Sequence, residues 1–133
     1  MVVEKEYMSL IVNADDIFFT QETCSFYMRC EPPVSVHDLT QSILEGCYDP
    51  LDTGFLLLDA WRAEIRQGRG RKTPKTTAFF TMDHRRLKSM KDANCRQIKV
   101  RCFSHPRFDE FINKGIKRIG LRSDIRITGY PRV

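Results

Sequence analysis

One short β-α-β passage constrains the fold of this chain more than any other feature. Residues 76–82, Thr-Thr-Ala-Phe-Phe-Thr-Met, combine β-branched and aromatic side chains and predict a strand. Asp83 is a candidate helix N-cap, and Leu87 and Met90 lie at helical spacing behind it. Residues 97–103 alternate polar and apolar side chains and predict another strand. A passage this short favours two strands that are neighbours in one sheet.

The first half of the chain predicts two short strands and one helix. Residues 6–12 and 17–20 are the strand candidates, because apolar side chains there alternate imperfectly with polar ones. Ser35 opens the strongest helix signal, since Asp38 follows it at the spacing of a capping box. Gly46 suits the residue just beyond the end of this helix.

The remaining segments alternate between apolar runs and turn-forming sequence. Residues 55–58, Phe-Leu-Leu-Leu, are apolar on both faces and predict a buried strand. Residues 66–75 are basic and rich in turn formers, and they predict an exposed loop between two strands. Apolar side chains at helical spacing predict a last helix over residues 108–119, and residues 125–130 predict an edge strand.

Length and composition limit the chain to one small domain. Its 133 residues, 41% of them hydrophobic, supply one core and are too few for two. We predict an α/β (α+β) fold over residues 1–133, a small mixed sheet with short helices, with a C-terminal helix and tail at residues 104–133. No apolar run approaches the roughly 18 residues that span a bilayer, and the N-terminus lacks signal-peptide features. We therefore expect an intracellular protein, cytoplasmic or nuclear, without a membrane partner.

The five cysteines and three histidines show no spacing typical of metal ligands. The cysteines are odd in number and form no CxxC pair, so we predict neither a zinc site nor a disulfide framework. Cys47 and Cys95 are the candidates for a reactive thiol. Cys95 is the better of the two, because it adjoins Arg96 and a nearby cation lowers a thiol pKa. The more common alternative for such a residue is a buried cysteine without reactivity.

The net charge of +5 is divided unevenly along the chain. Residues 1–61 carry a balance of −9 and residues 62–133 a balance of +14. This predicts a polyanionic partner, a nucleotide or an RNA or DNA phosphate backbone, unless the acidic half folds against the basic half. The predicted loop supplies the candidate nucleic-acid contacts: Arg66, Arg69, Arg71, Lys72 and Lys75. No aromatic side chain is interleaved with them, so the loop predicts backbone binding without base recognition.

An arginine pair in the first turn of the central helix is the strongest candidate for a ligand site. Arg85 and Arg86 stand where backbone N–H groups point outward and the helix dipole is positive, an arrangement that suits phosphate oxygens. His84 is a candidate second donor, and Arg101 is a candidate neighbour from the following strand. The alternative is a helix start with two solvated arginines. No catalytic or metal-binding residue is predicted, and enzymatic activity stays open.

The order of these segments resembles the nucleotide-binding domain of the ParB and sulfiredoxin-like families. In that domain a helix ending at a glycine turn is followed by a strand, a hairpin and a Gly-x-x-Arg helix start. Residues 42–46, 55–58, 81–87 and 98–100 are similar to the helix end, the next strand, the phosphate loop and the last strand. The resemblance covers a core at residues 10–103 and leaves residues 104–133 unexplained. It implies a partly closed sheet, a phosphate-binding role for Arg86, and ATP or CTP with magnesium as candidate ligands.

Two positions differ from the family pattern. Asp83 stands where the family has its first glycine, and a carboxylate there competes with phosphate for the helix N–H groups. His84 stands where sulfiredoxins carry their catalytic cysteine, so sulfinic acid reduction is not predicted. A weak nuclease or phosphotransferase would need a base and a metal that the sequence does not locate, so this function comes last. Two other functions stay open. One is a phosphate-ligand binding domain, and the other is a non-catalytic interaction protein with a degenerate site that binds RNA or an acidic protein partner.

Overall fold

The computed structural model describes residues 7–27, 34–51, 54–66, 75–103, 112, 114 and 121–129. The elements within these residues follow in chain order. They are β1 (Met8–Asn13), a 3-10 helix (Ala14–Asp16), β2 (Ile17–Phe19), β3 (Thr23–Ser25), α1 (Val36–Leu44), β4 (Leu58–Arg66), β5 (Lys75–Thr81), α2 (His84–Asp92), β6 (Gln97–Phe103) and β7 (Arg126–Thr128). The predicted α/β class is confirmed.

Five strands form one mixed sheet in the order β1-β6-β4-β5-β2. The pairs β1–β6 and β4–β5 are antiparallel, whereas β4–β6 and β2–β5 are parallel. The strands β3 and β7 pair in parallel as a separate two-stranded sheet. The C-terminal tail therefore contains the predicted strand, which joins β3 and not the main sheet.

The prediction that the two strands of the β-α-β passage are neighbours is wrong. β4 lies between β5 and β6 and pairs with both. β5 pairs antiparallel with β4 over seven residue pairs at one edge and in parallel with β2 at the other. Neither edge of β5 is therefore free for β6. β6 then pairs in parallel with the opposite edge of β4.

The strand predicted at residues 55–58 is also wrong for all but its last residue. Residues 54–56 turn, with the Leu57 N–H donating to the Gly54 carbonyl at 3.1 Å, and β4 begins only at Leu58. Leu56 is nevertheless buried, so the apolar run supplies core contacts and not strand pairing. Burial alone does not distinguish the two roles.

The two helices cover one face of the sheet, here called the front face. Leu39 of α1 and Leu87 of α2 pack with Leu58 and Val100 of the sheet in the main core. The buried Ser89 hydroxyl donates to the Val36 carbonyl at 3.0 Å and ties α2 to α1. The helices therefore have a fixed position over the start of β4.

The opposite face, the rear face, carries a second and smaller core. Ala63, Ala78 and Phe80 pack there with Ile112. Ile112 and Lys114 are helical, in agreement with the predicted C-terminal helix, although Phe108 and most of that segment lie outside the described residues.

A row of aromatic side chains crosses the rear face. Phe18 and Phe80 have ring centroids 5.7 Å apart, Trp61 and Phe103 5.0 Å, and Phe103 and Tyr7 5.7 Å. Trp61 and Phe80 are register partners on β4 and β5. The row connects all five strands of the sheet, because Tyr7 immediately precedes β1.

The α1 helix starts and ends as its sequence predicts. The Ser35 hydroxyl accepts a hydrogen bond from the backbone N–H of Asp38 at 3.0 Å. Gly46 follows the helix with φ at +82°, a left-handed conformation that favours glycine.

We expect Ser35→Ala to lower the free energy of unfolding by about 1 kcal/mol, because the substitution removes the cap acceptor from α1. Urea denaturation measures the loss. Ser42→Ala, inside the same helix, is the matched control and should change stability by less than about 0.5 kcal/mol. Equal losses in the two variants would contradict a capping role for Ser35.

Candidate functional site

The start of α2 is held in place by the buried Thr81 at the end of β5. The Thr81 hydroxyl donates to the Asp59 carbonyl at 2.8 Å and accepts from the Asp83 N–H at 3.0 Å. The Thr81 carbonyl accepts from the Thr20 hydroxyl at 3.2 Å. One residue thus joins the start of β4, the end of β2 and the start of α2.

Asp83 occupies the N-cap position of α2, but its side chain makes no capping hydrogen bond. The carboxylate turns toward the sheet, and Oδ2 accepts from the Asp59 N–H at 3.2 Å. The predicted cap is therefore wrong in its contact, although the helix begins where expected. The hypothesis that this carboxylate fills the anion position at the helix start is not supported by its geometry.

His84 points into the core, away from solvent. Its side chain is 7% exposed, and Nε2 accepts from the Thr20 N–H at 3.3 Å and lies 2.8 Å from the Thr20 hydroxyl. Burial lowers the pKa of His84, the Asp83 charge opposes this shift, and the Arg85 charge adds to it. Burial therefore favours the neutral form of the His84 ring, and the geometry does not favour the predicted role as a ligand donor.

Arg85 and Arg86 are both half-buried and reach to different sides of the helix start. Arg85 Nη1 donates to the Tyr27 carbonyl at 2.8 Å. Arg86 Cζ lies 4.8 Å from the centroid of the Phe55 ring, and Phe55 in turn contacts Tyr48 at 5.7 Å between centroids. The pair flanks the first turn of α2, and each guanidinium group is steadied by a protein contact.

Arg101 does not join this cluster. It lies on the rear face of β6, where Nε is 2.6 Å from Asp59 Oδ1 and the guanidinium is 5.8 Å from the Tyr7 ring centroid. The sheet separates it from α2, which packs on the front face. Of the four predicted ligand residues, only Arg85 and Arg86 lie half-buried beside the first turn of α2.

The predicted nucleic-acid loop is shorter than its sequence indicates. Arg66 and Lys75 are register partners at the ends of β4 and β5, so they belong to the strands and not to the loop. The other loop candidates, Arg69, Arg71 and Lys72, lie outside the described residues.

Among the residues that the structure describes, ion pairs join the acidic first half to the basic second half in two places. Arg101 contacts Asp59 at 2.6 Å, and Arg122 contacts Glu22 at 3.1 Å. Part of the basic charge is therefore neutralised within the fold, as the alternative interpretation of the charge division predicts.

The cysteines show no sign of activation in the described part of the chain. Burial raises the pKa of Cys95 and the Asp49 charge adds to this, so the predicted activation by Arg96 is wrong. Cys24 and Cys102 are buried, and burial raises the pKa of each. Among the described residues no three His, Cys, Asp or Glu side chains form a group that could hold a metal ion.

An open groove of about 880 Å³ lies at the far end of α2, away from the arginine pair. Asp15, Lys91, Asn94 and Cys95 are among the residues that line it. It contains none of the ligand residues predicted from the sequence.

No helix in the described segments is long and apolar enough to cross a bilayer.

The sequence did not single out four residues that shape the start of α2: Thr20, Phe55, Asp59 and Thr81. Thr20 and Thr81 look like ordinary strand residues, and Phe55 like a core residue. Their contacts join residues 22 to 64 positions apart, and no local pattern encodes such pairs. The N-cap position of Asp83 was the only local signal, and it indicated a different partner.

We expect the stability of the protein to fall as the pH is lowered through about 6.5. The unfolded chain protonates His84 near its ordinary pKa of 6.5, whereas burial lowers the pKa in the folded state. The neutral ring therefore makes its full contribution to the free energy of unfolding above the unfolded pKa. That contribution is lost as the pH falls through the pKa of the folded state. Thermal unfolding of wild type and His84→Gln across pH tests this. The variant should show a flatter profile, and a slope as steep as that of wild type would contradict this role for His84.

We expect Cys47 to react faster than Cys95 with a disulfide reagent, because Cys47 is exposed and the Cys95 thiol is held in its protonated form. Cys47→Ser should remove one equivalent of rapidly reacting thiol, and Cys95→Ser should leave the rapid phase unchanged. Loss of the rapid phase in Cys95→Ser instead would restore Cys95 as the reactive thiol.

Comparisons of the chain with protein-family models, with curated proteins and with solved structures found no match. The resemblance to the ParB and sulfiredoxin-like families therefore stays a prediction from the sequence. The candidate site rests on the geometry at the start of α2.

Proposed function

We propose that this protein is a phosphate-ligand binding domain that holds its ligand at the start of α2, between Arg85 and Arg86. One observation supports the proposal above others. The Asp83 carboxylate bonds to the Asp59 N–H and makes no capping bond to α2. A phosphate oxygen can take the acceptor position that a capping side chain occupies in other helices.

The first turn of α2 supplies complementary charge for such a ligand. The helix dipole places partial positive charge at the first N–H groups, and phosphate is favoured there. Arg85 and Arg86 add two guanidinium groups, whose planar donors suit phosphate oxygens. The contacts of Arg85 with Tyr27 and of Arg86 with Phe55 limit the freedom that each side chain loses on binding.

The ligand class is a nucleotide, with ATP or CTP as candidates, or a nucleic-acid phosphate. Magnesium would arrive with the phosphates, because the Asp83 carboxylate at the start of α2 already accepts from the Asp59 N–H. The Asp59 carboxylate pairs with Arg101 on the rear face of the sheet. We assign no catalytic step to this site.

Thermal unfolding with ATP, CTP, GTP, inorganic phosphate and a short RNA, with and without magnesium, tests the proposal. A ligand that binds the folded state raises the unfolding midpoint. Arg85→Ala and Arg86→Ala should each weaken binding about tenfold or more, because each removes a charge-assisted contact. The control Arg96→Ala removes the same charge at the far end of α2 and should bind like wild type. Unchanged affinity in Arg86→Ala would contradict the proposal.

The second candidate function is a non-catalytic interaction protein that binds RNA or an acidic protein partner through its basic half. The observation in its favour is that both guanidinium groups already have protein contacts, as expected of structural arginines. A salt-dependent shift of RNA mobility that free nucleotide does not reverse would favour it. The same shift in Arg86→Ala would place the RNA surface away from α2.

A further inference from the structure

The edge strand β1 combines open backbone groups with exposed apolar side chains. In the described part of the chain it pairs only with β6, on one side. An antiparallel ladder uses the N–H and C=O groups of alternate residues, so the other residues of β1 direct theirs outward. Tyr7, Met8 and Ile11 are 53%, 67% and 58% exposed. Three large apolar side chains are thus exposed within five residues of one edge.

The opposite edge of the same sheet differs. β2 is three residues long, and the Phe19 N–H on its outer side donates to the Arg122 carbonyl at 2.9 Å. β1 has six residues, Met-Ser-Leu-Ile-Val-Asn, without charge and without proline. Charges, proline, short length and covering segments are the usual features that keep an edge strand from pairing with another chain. Within the described residues β2 has two of these features, short length and a covering segment, and β1 has none.

We propose that β1 pairs antiparallel with β1 of a second copy of this chain and extends the sheet across a two-fold axis. The pattern of side chains along β1 is self-complementary in one register. Because directly opposed residues share a face, a pair centred on Ser9 places Tyr7 opposite Ile11 of the second copy and Met8 opposite Leu10. Every exposed apolar side chain of the edge then meets an apolar partner.

The other symmetric registers are poorer. A pair centred on Leu10 places Tyr7 opposite Asn13 and Ile11 opposite Ser9. A pair centred on Ile11 places Ser9 opposite Asn13 and leaves Tyr7 beyond the paired segment. The centre at Ser9 is therefore the register that the sequence of the edge favours.

The area of this edge determines how strong the dimer is. Six strand residues span about 20 Å and a sheet is about 10 Å thick, so each copy covers roughly 200 Å². A standard stable interface covers about 800 Å² on each partner. The dimer is accordingly weak and reversible, and it forms only at high protein concentration. It is independent of the phosphate site, which lies at the start of α2.

Sedimentation velocity over protein concentrations from about 5 µM to about 1 mM tests the proposal. Wild type should shift reversibly from monomer to dimer. Ile11→Lys places a charge in the paired edge and should raise the dissociation constant at least about tenfold. Leu44→Lys is the matched control, because Leu44 is 56% exposed at the end of α1, and it should behave like wild type. If Ile11→Lys fails to fold, Tyr7→Lys makes the same test.

Cysteine cross-linking in a Cys47→Ser background tests the register. Ser9→Cys should form a disulfide-linked dimer on mild oxidation, because residue 9 faces its own copy across the axis. Asn13→Cys on the same strand should not, because its copy lies far along the paired strand. A wild type that stays monomeric at the highest concentration, or a dimer that Ile11→Lys leaves unchanged, would overturn the proposal. So would cross-linking through Asn13→Cys and not through Ser9→Cys.

Discussion

The hydroxyl of Thr81 is the contact on which the arrangement of this fold most depends. It is fully buried, and its two hydrogen bonds join the Asp59 carbonyl to the Asp83 N–H. The Asp83 carboxylate closes the same loop by accepting from the Asp59 N–H. A buried polar group that lost such partners would cost about 1–3 kcal/mol. The junction therefore fixes where β5 ends and the direction in which α2 leaves the sheet.

The position of α2 decides what its basic residues can do. His84, Arg85 and Arg86 are consecutive, yet they point in three directions, because successive helical residues differ by about 100° around the axis. His84 is buried against Thr20, whereas the two arginines flank the exposed turn. The same junction turns Asp83 away from the helix. Two features support a phosphate site at this turn: the Asp83 carboxylate that makes no capping bond, and the arginines on either side. Both follow from the contacts of Thr81 and its neighbours.

Much of the secondary structure could be predicted from the sequence, and most of the site could not. The bounds of β6, the cap of α1 by Ser35 and the left-handed Gly46 follow from patterns within a few residues. The strand prediction at Phe55 and Leu56 was wrong, since an apolar run indicates burial whether the backbone is paired or turned. The predicted capping bond of Asp83 was wrong for a related reason. An N-cap residue can hydrogen-bond elsewhere when a distant strand presents an N–H group, and local spacing contains no information on that strand.

The sequence by itself determined the mixed α/β class, the strong β5-α2-β6 passage and the arginine pair at the start of α2, because periodicity and capping act over a few residues. The tertiary structure alone decided that β4 separates β5 from β6, that Arg101 lies on the rear face, and that His84 is buried. The physical reason is pairing at long range. β4 pairs antiparallel with β5 at one edge and in parallel with β6 at the other. Which strands occupy these two edges depends on the whole sheet. The same choice leaves β1 at an edge, with its apolar side chains exposed.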